Sequence, residues 1–140
     1  MKAAVAPASS ERVSAFLSGG PKKLYIGGQW VAPSSKDTFE TLDPGSGAVL
    51  AEVFSATDAD VDAAVKSART AFKRSGWAEM SPSERGVYLH RLADLVEDHK
   101  PVLAEIESLD VGKPLGQAMG DVGNFVQTLR YYADLAVHIS

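Results

Sequence analysis

The pattern of hydrophobic and polar positions divides the chain into two parts with different periods. Between residues 24 and 54, β-branched and aromatic residues come in short runs that are separated by glycine, proline and aspartate. After residue 56, the apolar positions recur every three or four residues, as they do on one face of an α-helix. The first part therefore predicts strands, and the second part predicts helices.

Four short strands are predicted in the first part. They span residues 24–26, 30–31, 38–42 and 48–54. Gly27 and Gly28 lie between the first two strands, where glycine supplies the positive φ that a tight hairpin turn needs. Asp43 begins a second turn, before the fourth strand. We expect these strands to form a small antiparallel sheet or hairpins.

Three to four helices are predicted in the second part. They begin near residues 57, 81, 101 and 115, and the last one continues to about residue 139. Thr57 is a suitable N-cap, and Ser81 with Glu84 can form a capping box. Gly112 ends the third helix. The last helix, at about 25 residues, is long for a chain of 140 residues.

The periodicity also predicts which helix faces pack into a core. The first helix carries an apolar stripe made of Val61, Val65, Ala68 and Phe72. The predicted core face of the second helix is Tyr88, Leu92, Leu95 and Val96, and that of the third is Leu103, Ile106 and Leu109. The apolar positions of the last helix are Met119, Val122, Phe125, Val126, Leu129, Tyr132, Leu135 and Ile139, which cover more than one face.

Three glycines in the last helix need an explanation. Gly116, Gly120 and Gly123 are spaced four and then three residues apart. Each costs up to ~1 kcal/mol relative to alanine in a helix interior. The spacing favours a close crossing with another helix over the alternative, an approach of the helix backbone to a ligand.

The first 22 residues differ in composition from the rest of the chain. They are rich in Ala, Ser, Gly and Pro. We predict that residues 1–22 form a flexible tail with at most a frayed turn around residues 11–17, and that the folded part spans residues 23–140. The start is too weak for a secretory signal, and no apolar run is long enough for a membrane span. A cytoplasmic protein is predicted, with a transit segment in the first 20 residues as the alternative.

Charge and composition exclude several classes of function. The chain has 14 Lys and Arg against 18 Asp and Glu, a net charge of −4, which disfavours binding to nucleic acids or anionic membranes. It has no cysteine, which excludes a disulfide, a thiolate metal site and a cysteine nucleophile within this chain. His90, His99 and His138 have neither metal-ligand spacing nor a neighbouring nucleophile. From composition and spacing alone, no catalytic or cofactor-binding residue is assigned.

Six short motifs occur in order along the chain, at residues 24–31, 38–47, 60–65, 81–85, 107–114 and 130–133. Taken together, they resemble the opening of the aldehyde dehydrogenase superfamily, with most similarity to its betaine-aldehyde and broad-specificity branch. The resemblance covers about residues 23–138. It implies an α/β fold that corresponds to the N-terminal part of the coenzyme-binding domain, with a small antiparallel sheet or hairpins followed by three to four helices, the last one long.

The resemblance also implies a function. Members of this family are longer, homo-oligomeric enzymes that oxidise aldehydes to carboxylic acids with NAD or NADP, through a thiohemiacetal on a catalytic cysteine. This chain has no cysteine, no Glu-Leu-Gly-Gly motif and no Gly-x-Thr-x-x-Gly cofactor turn. We expect this chain to be the N-terminal portion of such an oxidoreductase and to be inactive by itself. The alternative is a non-catalytic module that associates with full-length aldehyde dehydrogenase subunits.

One site is implied by the resemblance. Relatives in the betaine-aldehyde branch bind a monovalent cation, potassium or sodium, through backbone carbonyls that match Thr41 and Leu42 and through a carboxylate that matches Asp110. Their other carbonyl ligands come from a region that these 140 residues do not include. In the alternative interpretation, Asp110 is a helix-end carboxylate that bonds to nearby backbone.

A segment of a larger fold should also expose apolar surface that its missing neighbours would cover. The candidates for such a face are Tyr131, Tyr132, Leu135 and Ile139.

Overall fold

The computed structural model describes residues 10–74 and 76–138, and these residues contain both helices and strands. The elements are α1 (Glu11–Ser18), β1 (Leu24–Ile26), β2 (Gln29–Val31), β3 (Thr38–Leu42), β4 (Val49–Phe54), α2 (Asp58–Arg74), α3 (Pro82–Asp98), α4 (Lys100–Val111) and α5 (Leu115–Ala136). The chain folds as two compact units, one before and one after residue 75. The predicted α/β class is confirmed. Within the described ranges, no helix combines the length and the hydrophobicity of a membrane span.

The four strands form two separate antiparallel hairpins, as the turn residues predict. β1 pairs with β2, and β3 pairs with β4, so the described residues form two two-stranded sheets instead of one four-stranded sheet. Gly27 and Gly28 connect β1 and β2 with φ angles of 62° and 81°, which a residue with a Cβ rarely adopts. The pairing of β3 with β4 shifts its register between Thr41 and Leu42.

A helix occupies the part of the predicted tail that the structure describes. Ser10 caps α1 by accepting a hydrogen bond from the backbone N–H of Val13 at 3.2 Å, and Val13 is completely buried. At the other end, the ammonium of Lys22 lies 4.7 Å from the ring centroid of Phe16 and donates to the carbonyl of Gly20 at 3.0 Å. The frayed turn that the sequence predicts here is therefore a two-turn helix, because a cap and a buried valine stabilise it.

The chain is attached to the second hairpin directly after this helix. The backbone N–H of Lys22 donates to the carbonyl of Glu52 at 2.9 Å, and the N–H of Phe54 donates to the carbonyl of Lys22 at 3.1 Å. The rest of the predicted tail, residues 1–9, lies outside the described residues. The division of the chain at residue 23 stays a prediction.

The second unit is built on a close crossing of α3 and α5. Gly86 and Ala93 are the buried residues of α3, and Val126 and Ala133 are among those of α5. A Cβ built on Gly86 would lie 3.0 Å from the carbonyl oxygen of Ala133, which is tighter than nine in ten Cβ contacts in proteins. Glycine at this position lets the two backbones approach this closely without a shift of either helix.

The predicted core face of α3 is therefore wrong for three of its four residues. Tyr88, Leu92 and Leu95 are exposed, and only Val96 packs inward, against the cluster of Ala104, Ala118 and Val122. The hydrophobic pattern identified the apolar face of the helix correctly. The opposite face packs against α5, because its small residues allow closer contact between the helices.

The capped start of α3 and the end of α4 are as the sequence predicts. Ser81 and Glu84 form the predicted capping box, and Gly112 ends α4 in the left-handed conformation with φ of 70°. A hydrogen bond and an ion pair flank the crossing of α3 and α5. His90 contacts Asp134 at 2.8 Å, and Arg130 contacts Asp94 at 3.0 Å.

The glycine row of α5 does not form the crossing that the spacing predicts. Cβ atoms built on Gly116 and Gly120 would have nothing within 4 Å, and one on Gly123 would lie 3.0 Å from the side-chain nitrogen of Lys100. The close helix crossing depends instead on Gly86, which no pattern in the sequence had indicated.

The crossing predicts opposite effects for two glycine-to-alanine substitutions. Gly120→Ala should raise the free energy of unfolding by about 0.5–1 kcal/mol, because it removes a helical glycine without a clash. Gly86→Ala should lower it by about 1 kcal/mol, because the new methyl group forces α3 and α5 apart. Urea denaturation of both variants measures the difference. An equal gain from the two substitutions would contradict the close crossing.

Candidate functional site

The three residues of the predicted cation site lie in different units of the chain. Thr41 and Leu42 are at the end of β3, where the pairing with β4 is irregular. Asp110 is exposed in the last turn of α4. Among the described residues, no cluster of three or more His, Asp or Glu side chains could hold a metal ion. The structure describes each half of the predicted site by itself, so the site stays a prediction.

A hydrogen-bonded turn holds the first half in place. Asp43 follows Leu42, and its backbone N–H donates to the carbonyl of Ala48 at 2.8 Å. Its carboxylate accepts from the hydroxyl of Ser46 at 2.6 Å and from the N–H of Gly45 at 2.8 Å. Both hydrogen bonds lower the pKa of Asp43, because they stabilise its charged form. The bond from the Ser46 hydroxyl has the larger effect. The end of β3 is thus followed by a turn that contains the carboxylate of Asp43.

An ion-pair network stabilises the second half, at the corner between α4 and α5. The ammonium of Lys113 contacts the carboxylate of Asp121 at 2.6 Å and also that of Glu107. The hydroxyl of Ser108 donates to the carbonyl of Lys113 at 2.6 Å. Hydrogen bonds to Asp121 and then to Glu107 raise the pKa of Lys113, since both favour the ammonium form. This corner lies immediately after Asp110.

Lys113 received no role in the interpretation of the sequence. Its two partners are six residues before it and eight residues after it, so the glycine-ended turn must form before the three charges can meet. A signal was present in the sequence, because a lysine directly after the predicted helix stop at Gly112 is flanked by acidic residues on both sides.

A third polar cluster fixes the start of α2. The carboxylate of Asp60 accepts from the N–H of Thr57 at 2.8 Å and from its hydroxyl at 2.7 Å. It also accepts from the N–H of Ser34 at 3.1 Å and from its hydroxyl at 3.2 Å. The bonds from Thr57, and then those from Ser34, lower the pKa of Asp60. The helix start is thereby tied to the loop that precedes β3.

Some of the other residues named in the sequence analysis make structural contacts, and some are exposed to solvent. His99 is at the end of α3, where a ring nitrogen lies 2.9 Å from the carbonyl of Leu95. Tyr131 and Tyr132 are exposed, as predicted, with ring centroids 5.2 Å apart. Leu135 is only partly exposed, and Ile139 lies outside the described residues.

The order of the hairpins and helices corresponds to the N-terminal part of aldehyde dehydrogenases of known structure. The model of the aldehyde dehydrogenase family matches residues 30–140. This chain belongs to the aldehyde dehydrogenase family, as the six motifs predicted.

Individual relatives agree with this assignment. The chain is 43% identical over 132 residues to the putative aldehyde dehydrogenase DhaS of Bacillus subtilis, and the match covers 94% of this chain and 26% of that protein. The NAD+ complex of an aldehyde dehydrogenase from Bacillus cereus is 44% identical with a TM-score of 0.83, over 89% of this chain and 26% of that one. Betaine aldehyde dehydrogenase from Staphylococcus aureus, in complex with NAD+, is 29% identical with a TM-score of 0.83. That match covers 90% of this chain and 25% of the other.

The chain spans about a quarter of the length of the relatives it matches, and it corresponds to their N-terminal part. The predicted family and fold are therefore confirmed.

The hydrogen bonds of Asp60 predict a pH dependence. Because its pKa is lower in the folded chain than the ordinary value of about 4, its contribution to stability is present above that value and lost as the pH falls through the folded pKa. Asp60→Asn should lower the thermal midpoint at pH 7 and weaken its fall in acid. Asp62→Asn, on the same helix, is the matched control and should behave like the unchanged chain. Identical acid profiles for all three proteins would contradict the role of Asp60.

The network of Lys113 predicts a change in local protection. Lys113→Met keeps the aliphatic stem but leaves Glu107 and Asp121 unpaired, so backbone amides of residues 107–121 should exchange faster with solvent at neutral pH. Because the pKa of Lys113 is raised in the folded chain, the ion pairs stabilise it below about pH 10 and are lost as the pH rises through the folded pKa. Hydrogen exchange followed by mass spectrometry tests this, with Lys36→Met as the control. Unchanged protection in Lys113→Met would contradict it.

Proposed function

We propose that this chain is the N-terminal portion of an enzyme that oxidises aldehydes to carboxylic acids with NAD or NADP, and that these 140 residues do not turn over an aldehyde by themselves. The single observation that carries the proposal is the family match over residues 30–140 in a chain that spans a quarter of its relatives. The NAD+ complexes among the structural neighbours support a nicotinamide cofactor.

The residues present do not form a cofactor site or a catalytic centre. The family's chemistry requires a cysteine nucleophile, which no position of this chain provides, and a nucleotide-binding turn that it also lacks. Asn124, the chain's one asparagine, is exposed on α5. We therefore assign no catalytic or cofactor-binding residue to this chain. Its role in the enzyme is structural, through the two hairpins and the crossed helices.

The chain would contribute to one ligand site of that enzyme. We propose that the carbonyl oxygens of Thr41 and Leu42 and the carboxylate of Asp110 are part of the set that binds a potassium or sodium ion. Two observations support this: the register of β3 is irregular at Thr41 and Leu42, and hydrogen-bonded turns follow both halves. Hard oxygen donors of this kind suit such cations.

A second candidate function is a non-catalytic module that binds to full-length aldehyde dehydrogenase subunits. The observation that favours it is the exposure of large apolar side chains, such as Phe72 and Tyr131, on helices of the described chain. Apolar surface of this kind suits contact with another protein. In either case, we propose a cytoplasmic protein whose complete enzyme is a homo-oligomer that acts on an aldehyde, without nucleic-acid or membrane partners.

An activity measurement tests the first proposal. The purified chain, mixed with NAD+ or NADP+ and a series of aliphatic and amino aldehydes, should not reduce the nicotinamide above the blank. The enzyme from Bacillus cereus, at the same molar concentration, is the positive control. Aldehyde-dependent turnover that persists after contaminating dehydrogenases are removed would contradict the proposed inactivity.

Co-expression separates the two candidate functions. The tagged chain is expressed together with the untagged full-length enzyme from Bacillus cereus. Stoichiometric co-purification, with a changed turnover number, would support the module and count against a simple portion of an enzyme. Absence of the full-length subunit from the purified chain would contradict the module.

A further inference from the structure

His90 is a histidine of α3 that the proposed function does not use. Its ring nitrogen Nε2 lies 2.8 Å from a carboxylate oxygen of Asp134 on α5. The two residues are 44 positions apart in the sequence, so they meet only because α3 and α5 cross. A neutral imidazole makes a hydrogen bond with a carboxylate, whereas a protonated imidazole makes an ion pair with it.

This contact lies next to the closest point of the helix crossing. Gly86 precedes His90 by one helical turn, and Ala133 directly precedes Asp134. The carbonyl oxygen of Ala133 would lie 3.0 Å from a Cβ built on Gly86, so the two backbones are in close contact there. Packed backbones of this kind have little freedom to shift. The crossing therefore holds His90 and Asp134 at a separation that their side chains can bridge in either protonation state.

The charged groups around His90 come from both helices of the crossing. On α3, Asp94 follows His90 by one turn. On α5, Arg130 precedes Asp134 by four residues and His138 follows it by four residues. The guanidinium of Arg130 contacts the carboxylate of Asp94 at 3.0 Å, so its positive charge is paired with α3. The carboxylate that His90 contacts on the facing helix is that of Asp134.

We propose that His90 and Asp134 form a pH-dependent clasp on the crossing of α3 and α5, in which protonation of His90 strengthens the contact between the two helices. Histidine is the side chain that ordinarily changes its charge between about pH 5 and 8. A hydrogen bond between two charged groups is stronger than one from a neutral donor.

The direction of the pH effect follows from the sign of the charge. The ionic part of the clasp is present when the imidazole carries its second proton, which is the state favoured in mild acid. Its contribution to stability is therefore complete in mild acid and is lost as the pH rises through neutrality. The neutral hydrogen bond remains in alkali. The clasp lies within the second unit, so it does not depend on the proposed function.

Urea denaturation of the second unit tests the clasp. Trp30→Phe serves as the reference protein, because it leaves Trp77 as the one tryptophan of the chain. The ring of Trp77 lies 5.9 Å from that of Tyr88 on α3, so its fluorescence reports the unfolding of the second unit.

Three further substitutions are made in this reference protein. His90→Gln keeps a neutral N–H donor that cannot be protonated, and Asp134→Asn keeps an acceptor without the charge. Asp98→Asn is the matched control, because it removes an exposed carboxylate of α3 that lies eight residues from His90. Each protein is unfolded at about pH 6 and at about pH 8.5, on either side of the range in which histidine titrates.

Between the higher and the lower pH, the urea midpoint of the reference should rise by roughly 0.2–0.5 M more than that of His90→Gln, because an ion pair at the edge of a crossing contributes modestly. Asp134→Asn should respond like His90→Gln, and Asp98→Asn should respond like the reference. An equal response of the reference and His90→Gln would overturn the proposal. A full response in Asp134→Asn would also overturn it, because His90 would then act through another group.

The double variant His90→Gln with Asp134→Asn gives a second measurement. Together with the two single variants it forms a cycle, which separates the interaction of these two side chains from their other contacts. The interaction should be larger at the lower pH. An interaction of the same size at both pH values would show that the contact gains nothing from protonation, and it would overturn the proposal.

Discussion

The close approach of two backbones at Gly86 and Ala133 determines how the helical half of this chain is arranged. Because a Cβ at Gly86 would meet a backbone oxygen at 3.0 Å, α3 and α5 can cross only on a face of small residues. The bulky side chains of α3 then lie on the opposite face and remain exposed. A helix pair of this kind has a tight seam and an uncovered outer surface. It is suited to be one layer of a larger fold.

Hydrogen-bonded charges, rather than large apolar clusters, fix the corners of each unit. Asp43 and Asp60 hold a turn and a helix start in the first unit, and Lys113 holds the corner between α4 and α5 in the second. Few large side chains are completely buried among the described residues, with Val13 and Val126 the two largest. Local polar contacts thus set the positions of elements whose large apolar side chains are mostly exposed among the described residues.

Local signals in the sequence were sufficient for the elements and their ends. The glycine pair at 27 and 28, the capping box at Ser81 and the stop at Gly112 act through the backbone of neighbouring residues, so they could be identified without a tertiary structure. The helix α1 was the exception. Its stability depends on the burial of Val13 and on Lys22, which no local pattern indicates.

By itself, the sequence determined the class of fold, the order and bounds of most elements, and the family, because each depends on residues close together in the chain or on motifs in a fixed order. It also determined that no cysteine of this chain can act as a nucleophile. Only the tertiary structure decided which face of α3 is buried. Periodicity reports where apolar side chains lie, whereas packing also rewards close backbone contact, and that contact depends on what lies opposite each residue.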